Sequence, residues 1–454
     1  MSVLIKNGKI VSSEKIFSGD ILVSEGKIVK IANNIAIPDN CEFIDAEGQY
    51  IFPGGIDPHV HMHLPTFAGY SSDNFYTGSK AALYGGTTTL IDFVTPRKGQ
   101  SLPDALAERK KEAENCLTDY TFHVSPISWH KGLKDEIKEC VNQGVTSFKV
   151  YTAYKKSIGL DDNELFKVMQ DIAEIGALLT VHAELGDDIE DLRNRFFEEG
   201  KISPKYHALS RPPETEYKAV KKIIEFAKKT NCKVYFVHIS TGKSAEIIQN
   251  AQIRDLQIFA ETCPQYLMIN DEKLIGKFYN TVKFVFSPPP RKEQDNEKLW
   301  NALFENVILT VGTDHCPFTF EQKLLGKNDF RKIPNGAGGV EHRMSLLYTY
   351  GVFQNKISLN DFVKITSTNA AKIFGLYPQK GEIAVGSDAD LIIWNEKNDV
   401  ISAKTNHQNC DLNIYEGIKI SGKPEIVIKA GKIVLSENKL SQKISSGRYL
   451  SRTL

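Results

Sequence analysis

The chain has 454 residues, 41% hydrophobic and 25% charged, and its 56 Lys and Arg balance 56 Asp and Glu to a formal net charge of zero. That composition suits a large buried core and excludes a disordered chain, which is charge-rich and poor in aromatic residues. Zero net charge argues against a nucleic-acid binder that works by general basicity, while leaving a local basic patch open.

The amino terminus, MSVLIKNGKIVSSEK, has no long apolar stretch, so no secretory signal is expected. No apolar run reaches the ~18–20 residues that a membrane span needs. Residues 1–53 alternate apolar residues with turn signals, and the NG and EG pairs mark expected hairpin turns in a small antiparallel β unit. Residues 376–440 repeat this style in GEIAVGSDADLIIWN and PEIVIKAGKIVLSE. Both ends are expected to build one β-sandwich subdomain that encloses whatever lies between. Residues 441–454 read as a polar tail or an arm that docks on a neighbour.

Between them, residues 54–375 alternate apolar runs with amphipathic stretches. Eight strand-like runs stand out: QYIFPGGIDPHV, TTTLIDFVTP, YTFHVSPIS, VTSFKVYTA, ALLTVHAE, KVYFVHIS, QIFAETCPQYL and VILTVGTDHC. Helices are predicted over 101–117, 131–143, 161–176, 213–230 and 294–305. Eight such runs with helical connections predict an α/β fold, a TIM-like (β/α)8 barrel. The seven cysteines (Cys41, Cys116, Cys140, Cys232, Cys263, Cys316 and Cys410) are odd in number, widely spaced and form no CxxC. That argues against a disulfide framework or a Cys-type zinc site, and suits a reducing cytoplasm.

Barrel chemistry collects at the carboxyl ends of the strands. His59 and His61 end the first run, and on an extended segment residues i and i+2 point the same way. His182, His238 and Asp314 end the fifth, sixth and eighth runs. A strand-end His alone is usually a hydrogen-bonded structural residue; five such donors at four strand mouths point to a metal. Imidazole with carboxylate suits zinc, or alternatively manganese, iron or nickel. Lys149 is contributed by the fourth run, VTSFKVYTA. It is either paired with an acid or carboxylated to a carbamate that bridges two metals, as binuclear hydrolytic sites require a shared ligand. His123 reads as a core residue, His130, His207 and His407 as solvated loop residues, and Cys316 as packing.

The strings PGGIDPHVHMHLP, GVTSFKVYTAY, TVHAELGD, HALSRPPETE, VHIS, ETCPQYL, SPPPR, VGTDHCPF, IPNGAGGVEHRM and NAAKIFGLYPQKGEIAVGSDADLIIW resemble those of the dihydropyrimidinase and D-hydantoinase family of cyclic amidohydrolases. The resemblance covers nearly the whole chain. It implies two divalent metal ions, most simply zinc. His59 and His61 with Asp314 would hold one, His182 and His238 the other, and N6-carboxylated Lys149 would bridge them. It further implies Asp314 as the proton carrier and Tyr154 as donor to the developing oxyanion. Main-chain groups of Ser287 and Asn335 would hold the ring amide. His315 would support the site from behind the ligands. The implied reaction is hydrolysis of dihydrouracil, dihydrothymine or 5-substituted hydantoins to N-carbamoyl amino acids by a homotetramer, with no nucleic-acid or membrane partner.

Two residues depart from the commonest family pattern. His63 follows the metal pair, and His342 stands where many relatives carry Asp. The loop 62–70 resembles one that lines the pocket mouth, so His63 bears on substrate choice. Dihydroorotase-like chains typically carry Arg at that position, which argues against an anionic ring here. Allantoinase-like enzymes are a nearer alternative, and metal-free scaffold relatives a distant one, since a scaffold has no need of six matched ligand residues.

Overall fold

The computed structural model describes residues 2–454. Eight parallel strands form the central barrel: β1 (Gly55–Val60), β2 (Thr87–Val94), β3 (Asp119–Val124), β4 (Ser147–Tyr151), β5 (Leu178–His182), β6 (Lys233–Phe236), β7 (Ile258–Thr262) and β8 (Thr310–Val311). They neighbour one another in sequence order, as expected of a (β/α)8 barrel. Nearly every strand residue is buried, because helices cover the outside and side chains fill the inside. The seam between β8 and β1 closes just beyond the strands. Val60 bridges His315 in parallel, and the His61 N–H donates to the His315 carbonyl at 2.8 Å. The buried Asp57 carboxylate spans the same seam, accepting from Thr313 N at 3.1 Å and Thr313 Oγ1 at 2.6 Å.

The connecting helices form where amphipathic stretches carry end signals. Asp162–Ile175 starts at Asp161, whose carboxylate caps the amides of Asn163 and Glu164, and stops at Gly176 in the left-handed conformation, φ 84°. Its Leu165, Val168, Met169 and Ile172 form the buried stripe. The helix Pro213–Thr230 begins on a proline, which has no N–H to leave unbonded, and ends at Asn231, φ 57°. No helix among the described residues is long and apolar enough to cross a membrane.

A separate nine-stranded sheet draws on both ends of the chain. The first run of the sequence reading spans both sheets: Tyr50–Pro53 pairs antiparallel with Leu391–Val400, whereas Gly55–Val60 belongs to the barrel. The chain switches at Gly54, where a Cβ would run into Thr88. Two local expectations are corrected here. Asn7–Gly8 lies at an irregularity within Ser2–Val11, not at a hairpin turn, while Glu25–Gly26 does make the turn between Ile16–Ser24 and Lys27–Ala32. The amino-terminal part is also not purely antiparallel, since Ser2–Val11 pairs in parallel with Cys41–Asp45 and Tyr50–Pro53.

The last residues dock on this chain's own barrel. Tyr120 N donates to Arg448 O at 3.0 Å and Leu450 N to Tyr120 O at 2.8 Å, extending the start of β3. Arg452 is buried beneath the barrel, and its guanidinium donates to Ser147 Oγ at 3.0 Å.

Candidate active site at the carboxyl mouth of the barrel

His59 and His61 leave the end of β1 on the same side, as the two-residue period dictates. Their Nε2 atoms each stand 3.1 Å from Oδ1 of Asp314. These three residues form a group that can hold a divalent metal ion. His59 Nδ1 is bonded to Glu261 Oε1 at 2.7 Å, which leaves the buried Nε2 facing Asp314 without the alignment a hydrogen bond needs. A buried nitrogen without a satisfied hydrogen bond, beside a second imidazole and a carboxylate, fits a cation, because leaving it unsatisfied costs free energy.

His182 and His238 form the second pair, with Nδ1 of the first 2.9 Å from Nε2 of the second. The other nitrogen of His182 bonds Glu184 Oε2 at 2.7 Å. Glu184 in turn is paired with the Arg211 guanidinium. The rings of His59 and His238 lie 5.3 Å apart, so the two groups share one mouth of the barrel. Lys149, on β4, is buried, with Nζ 4.7 Å from the Phe93 ring and 5.0 Å from the Tyr151 ring. Among the described residues no carboxylate lies within ion-pair distance of it.

Electrostatics sort these groups. Burial holds His61 and His182 below the usual histidine range despite neighbouring carboxylates, and drives His238 well below it. Those three imidazoles are neutral, the form that ligates metals. Burial also opposes charge on His59, but Glu261 and Asp314 outweigh it and raise His59 to about 9. Burial would raise Asp314; the facing His59 and His61 reverse this and hold it well below the usual carboxylate range. Lys149 is lowered to about 8 by burial.

Three of the sequence-predicted residues sit on strained backbone. Tyr154 (φ 59°), His238 (φ 40°) and Asp314 (φ 52°) occupy the left-handed region, which costs non-glycine residues on the order of 1–3 kcal/mol each. The surroundings enforce it. The Tyr154 carbonyl accepts from the amides of Ser157, Ile158 and Gly159, and His238 N donates to Glu261 Oε1 at 3.1 Å. The Tyr154 ring lies 5.4 Å from that of His182, and its hydroxyl accepts from Arg211 Nη2 at 3.4 Å. Ser287 and Asn335 stand on two loops joined by Gly336 N donating to Val285 O at 3.1 Å. Among the described residues, the Ser287 carbonyl and the Asn335 amide have no main-chain or side-chain partner.

The remaining histidines divide. His123 is a core residue, bonded to Ser147 Oγ at 2.6 Å and the Pro58 carbonyl at 3.0 Å. His207 is a correction: it is buried, not solvated, and bonds the Phe286 carbonyl at 2.9 Å beside Ser287. His407 is only half-buried, stacked on Tyr84 and bonded to Glu341 at 2.7 Å. His130 is largely exposed. His315 is buried, bonds Asp73 at 3.0 Å and accepts from Gly339 N at 3.0 Å, which anchors the segment after β8 that bears Asp314. His63 bonds Glu112 at 2.5 Å and stacks on Tyr70 at 3.9 Å, pinning the root of the 62–70 loop. His342 bonds Asn413 Nδ2 at 2.9 Å, away from the ligand atoms. Cys316 is buried, and burial raises its thiol.

Sequence reasoning missed Glu261, Glu184 and Arg211. Glu261 carries a sequence signal, since it stands one residue before the end of β7, close to the mouth where His182 ends β5. Glu184 and Arg211 carry no spacing signal, because their partnership forms only in three dimensions.

A parallel barrel that gathers imidazole and carboxylate donors at one mouth is the architecture of a barrel hydrolase. The chain belongs to the amidohydrolase family, whose model matches residues 50–434. Its relatives within that family include D-hydantoinases and dihydropyrimidinases. It is 41% identical to the D-hydantoinase of Geobacillus stearothermophilus, across 100% of this chain and 97% of that protein. It is 38% identical to the dihydropyrimidinase of Dictyostelium discoideum, across 99% of this chain and 91% of that protein. The crystal structure of dihydropyrimidinase from Brevibacillus agri NCHU1002 superposes with a TM-score of 0.98 at 40% identity, covering 100% of this chain and 99% of that one.

Proposed function

We propose that this site opens neutral cyclic amides, dihydrouracil and dihydrothymine or 5-substituted hydantoins, by hydrolysing a ring C–N bond to give N-carbamoyl amino acids. The observation that carries the reading is the convergence of His59, His61 and Asp314 around the unsatisfied Nε2 of His59, with the His182–His238 pair alongside. His59, His61 and Asp314 would hold one zinc ion and His182 and His238 a second, and Lys149, once carboxylated, would serve as a ligand to both. The lowering of Lys149 supports this, because only a neutral amine adds carbon dioxide, losing a proton as the carbamate forms. When bound, such ions supply a nucleophilic water at neutral pH and polarise the amide carbonyl.

The chain's own groups do the rest. Asp314 is ionised, so it accepts the proton of the attacking water and returns it to the ring nitrogen as the C–N bond breaks. The Tyr154 hydroxyl donates to the carbonyl oxygen as negative charge grows there. The free Ser287 carbonyl and Asn335 amide offer one acceptor and one donor, the complement of a ring –NH–CO– edge. Family likeness supports a homotetramer, and seven free thiols support a reducing cytoplasm.

A panel of dihydrouracil, a 5-substituted hydantoin, allantoin and dihydroorotate, assayed with zinc and bicarbonate, tests the reading. Turnover of either of the first two to the N-carbamoyl product is expected. Turnover confined to allantoin or dihydroorotate, or a protein with neither metal nor hydrolysis, would overturn it.

A further inference from the structure

Lys323 lies in the short helix Phe320–Leu324, behind the loops that bear Ser287 and Asn335, and is 1% exposed. Its ammonium meets no carboxylate within ion-pair distance among the described residues. It instead donates to three main-chain carbonyls: Val285 at 2.9 Å, Pro334 at 3.0 Å and Gly336 at 2.8 Å. Burying a cation without a counter-ion is costly and pushes the Lys323 amine down to about 7, so the three oriented carbonyl dipoles offset that cost only in part. Their positions are informative. Val285 precedes Ser287 by two residues, and Pro334 and Gly336 flank Asn335. The other carbonyls around Ser287 are also held, Phe286 by His207 at 2.9 Å and Pro288 by the Tyr266 hydroxyl at 2.8 Å.

We propose that Lys323 is a positioning residue for ring recognition, tying the two loops together so that the Ser287 carbonyl and the Asn335 amide address the same ring edge. Lys323 touches no substrate itself and lies outside the metal-type donor cluster. The inference rests on the reading of Ser287 and Asn335 given above. A bolt at this place should govern ground-state binding of the ring while leaving the hydrolytic groups in register.

The test uses the metal-loaded enzyme. Lys323→Met keeps the aliphatic stem and removes all three donors; Lys323→Gln keeps a shorter donor. KM for dihydrouracil, or for the hydantoin if that is the better substrate, is expected to rise about tenfold or more in Lys323→Met and less in Lys323→Gln. The turnover number and metal content should hold, the signature of lost uniform binding. Amide hydrogen exchange should quicken at 285–287 and 335–337. The N-carbamoyl product should protect those segments in the parent enzyme but not in Lys323→Met. Missing protection in the parent would sink the Ser287 and Asn335 reading. Protection in the parent with unchanged KM in folded Lys323→Met would sink the role of Lys323 alone. Failure of both variants to fold, or loss of turnover with unchanged KM, would also overturn it, since a positioning role requires folded, metal-loaded variants that bind the ring poorly.

Discussion

Oε1 of Glu261 lies 2.7 Å from Nδ1 of His59, and both side chains are fully buried. The same carboxylate accepts the Tyr235 hydroxyl at 2.8 Å and the His238 amide at 3.1 Å. One acid therefore sets the ring orientation of His59 and the backbone of His238, a residue of the other histidine pair.

Glu261→Gln should accordingly weaken metal binding about 10–100-fold, the usual cost of losing such a carboxylate behind a ligating histidine. Competition against a graded series of chelators would measure it. Unchanged metal affinity would show that Glu261 merely fills space.

Lys149→Ala should lose tight binding of both metals and hydrolysis together. Metal analysis on the purified variant, with turnover measured in parallel, gives the answer. Full activity without an added short-chain carboxylate would remove the bridging role.

Tyr154→Phe should lower the turnover number by about a hundredfold, the loss typical of one oxyanion donor, with metal content intact. Steady-state kinetics beside metal analysis separates the two effects. A metal-free variant would mean that the tyrosine supports the ligands instead.

His207 gives a pH signature. Burial holds it down to about 3, below its ordinary value of 6.5, so between those values the unfolded chain binds a proton that the folded chain refuses. Stability from this group is thus complete above about pH 6.5 and declines as pH falls towards 3. His207→Gln, which retains an N–H for the Phe286 carbonyl and does not titrate, should flatten that part of the profile. Urea midpoints of the two proteins across this range would diverge if the sign is right and run parallel if it is wrong.

The barrel was legible because strands covered on both faces read as apolar runs, and its metal-type donors were legible because each follows such a run. VTSFKVYTA announces both β4 and Lys149. What escaped has physical reasons. Nothing local distinguishes a strand that changes sheets at Gly54 from one that continues, since the close neighbours that leave no room for a side chain there, Thr88 and Asp390, arrive only on folding. Arg211 reaches Glu184 across 27 residues, and Lys323 binds carbonyl oxygens, which every residue possesses. His207 looked solvated because a loop setting in sequence says nothing about what folds over it.

The pairing of Tyr50–Pro53 with Leu391–Val400 has a consequence for biosynthesis. Val3, Ile5, Ile21 and Val23 share their core with Leu391, Ile393 and Ile428. On the ribosome, the first strands emerge long before the partners that cover them, and the whole barrel must be threaded out in between. Until then an apolar sheet face stands open, the kind of surface that recruits chaperones or nucleates aggregation. Nascent chains arrested before residue 391 should bind a hydrophobic dye at this face, and chains extended past residue 436 should release it.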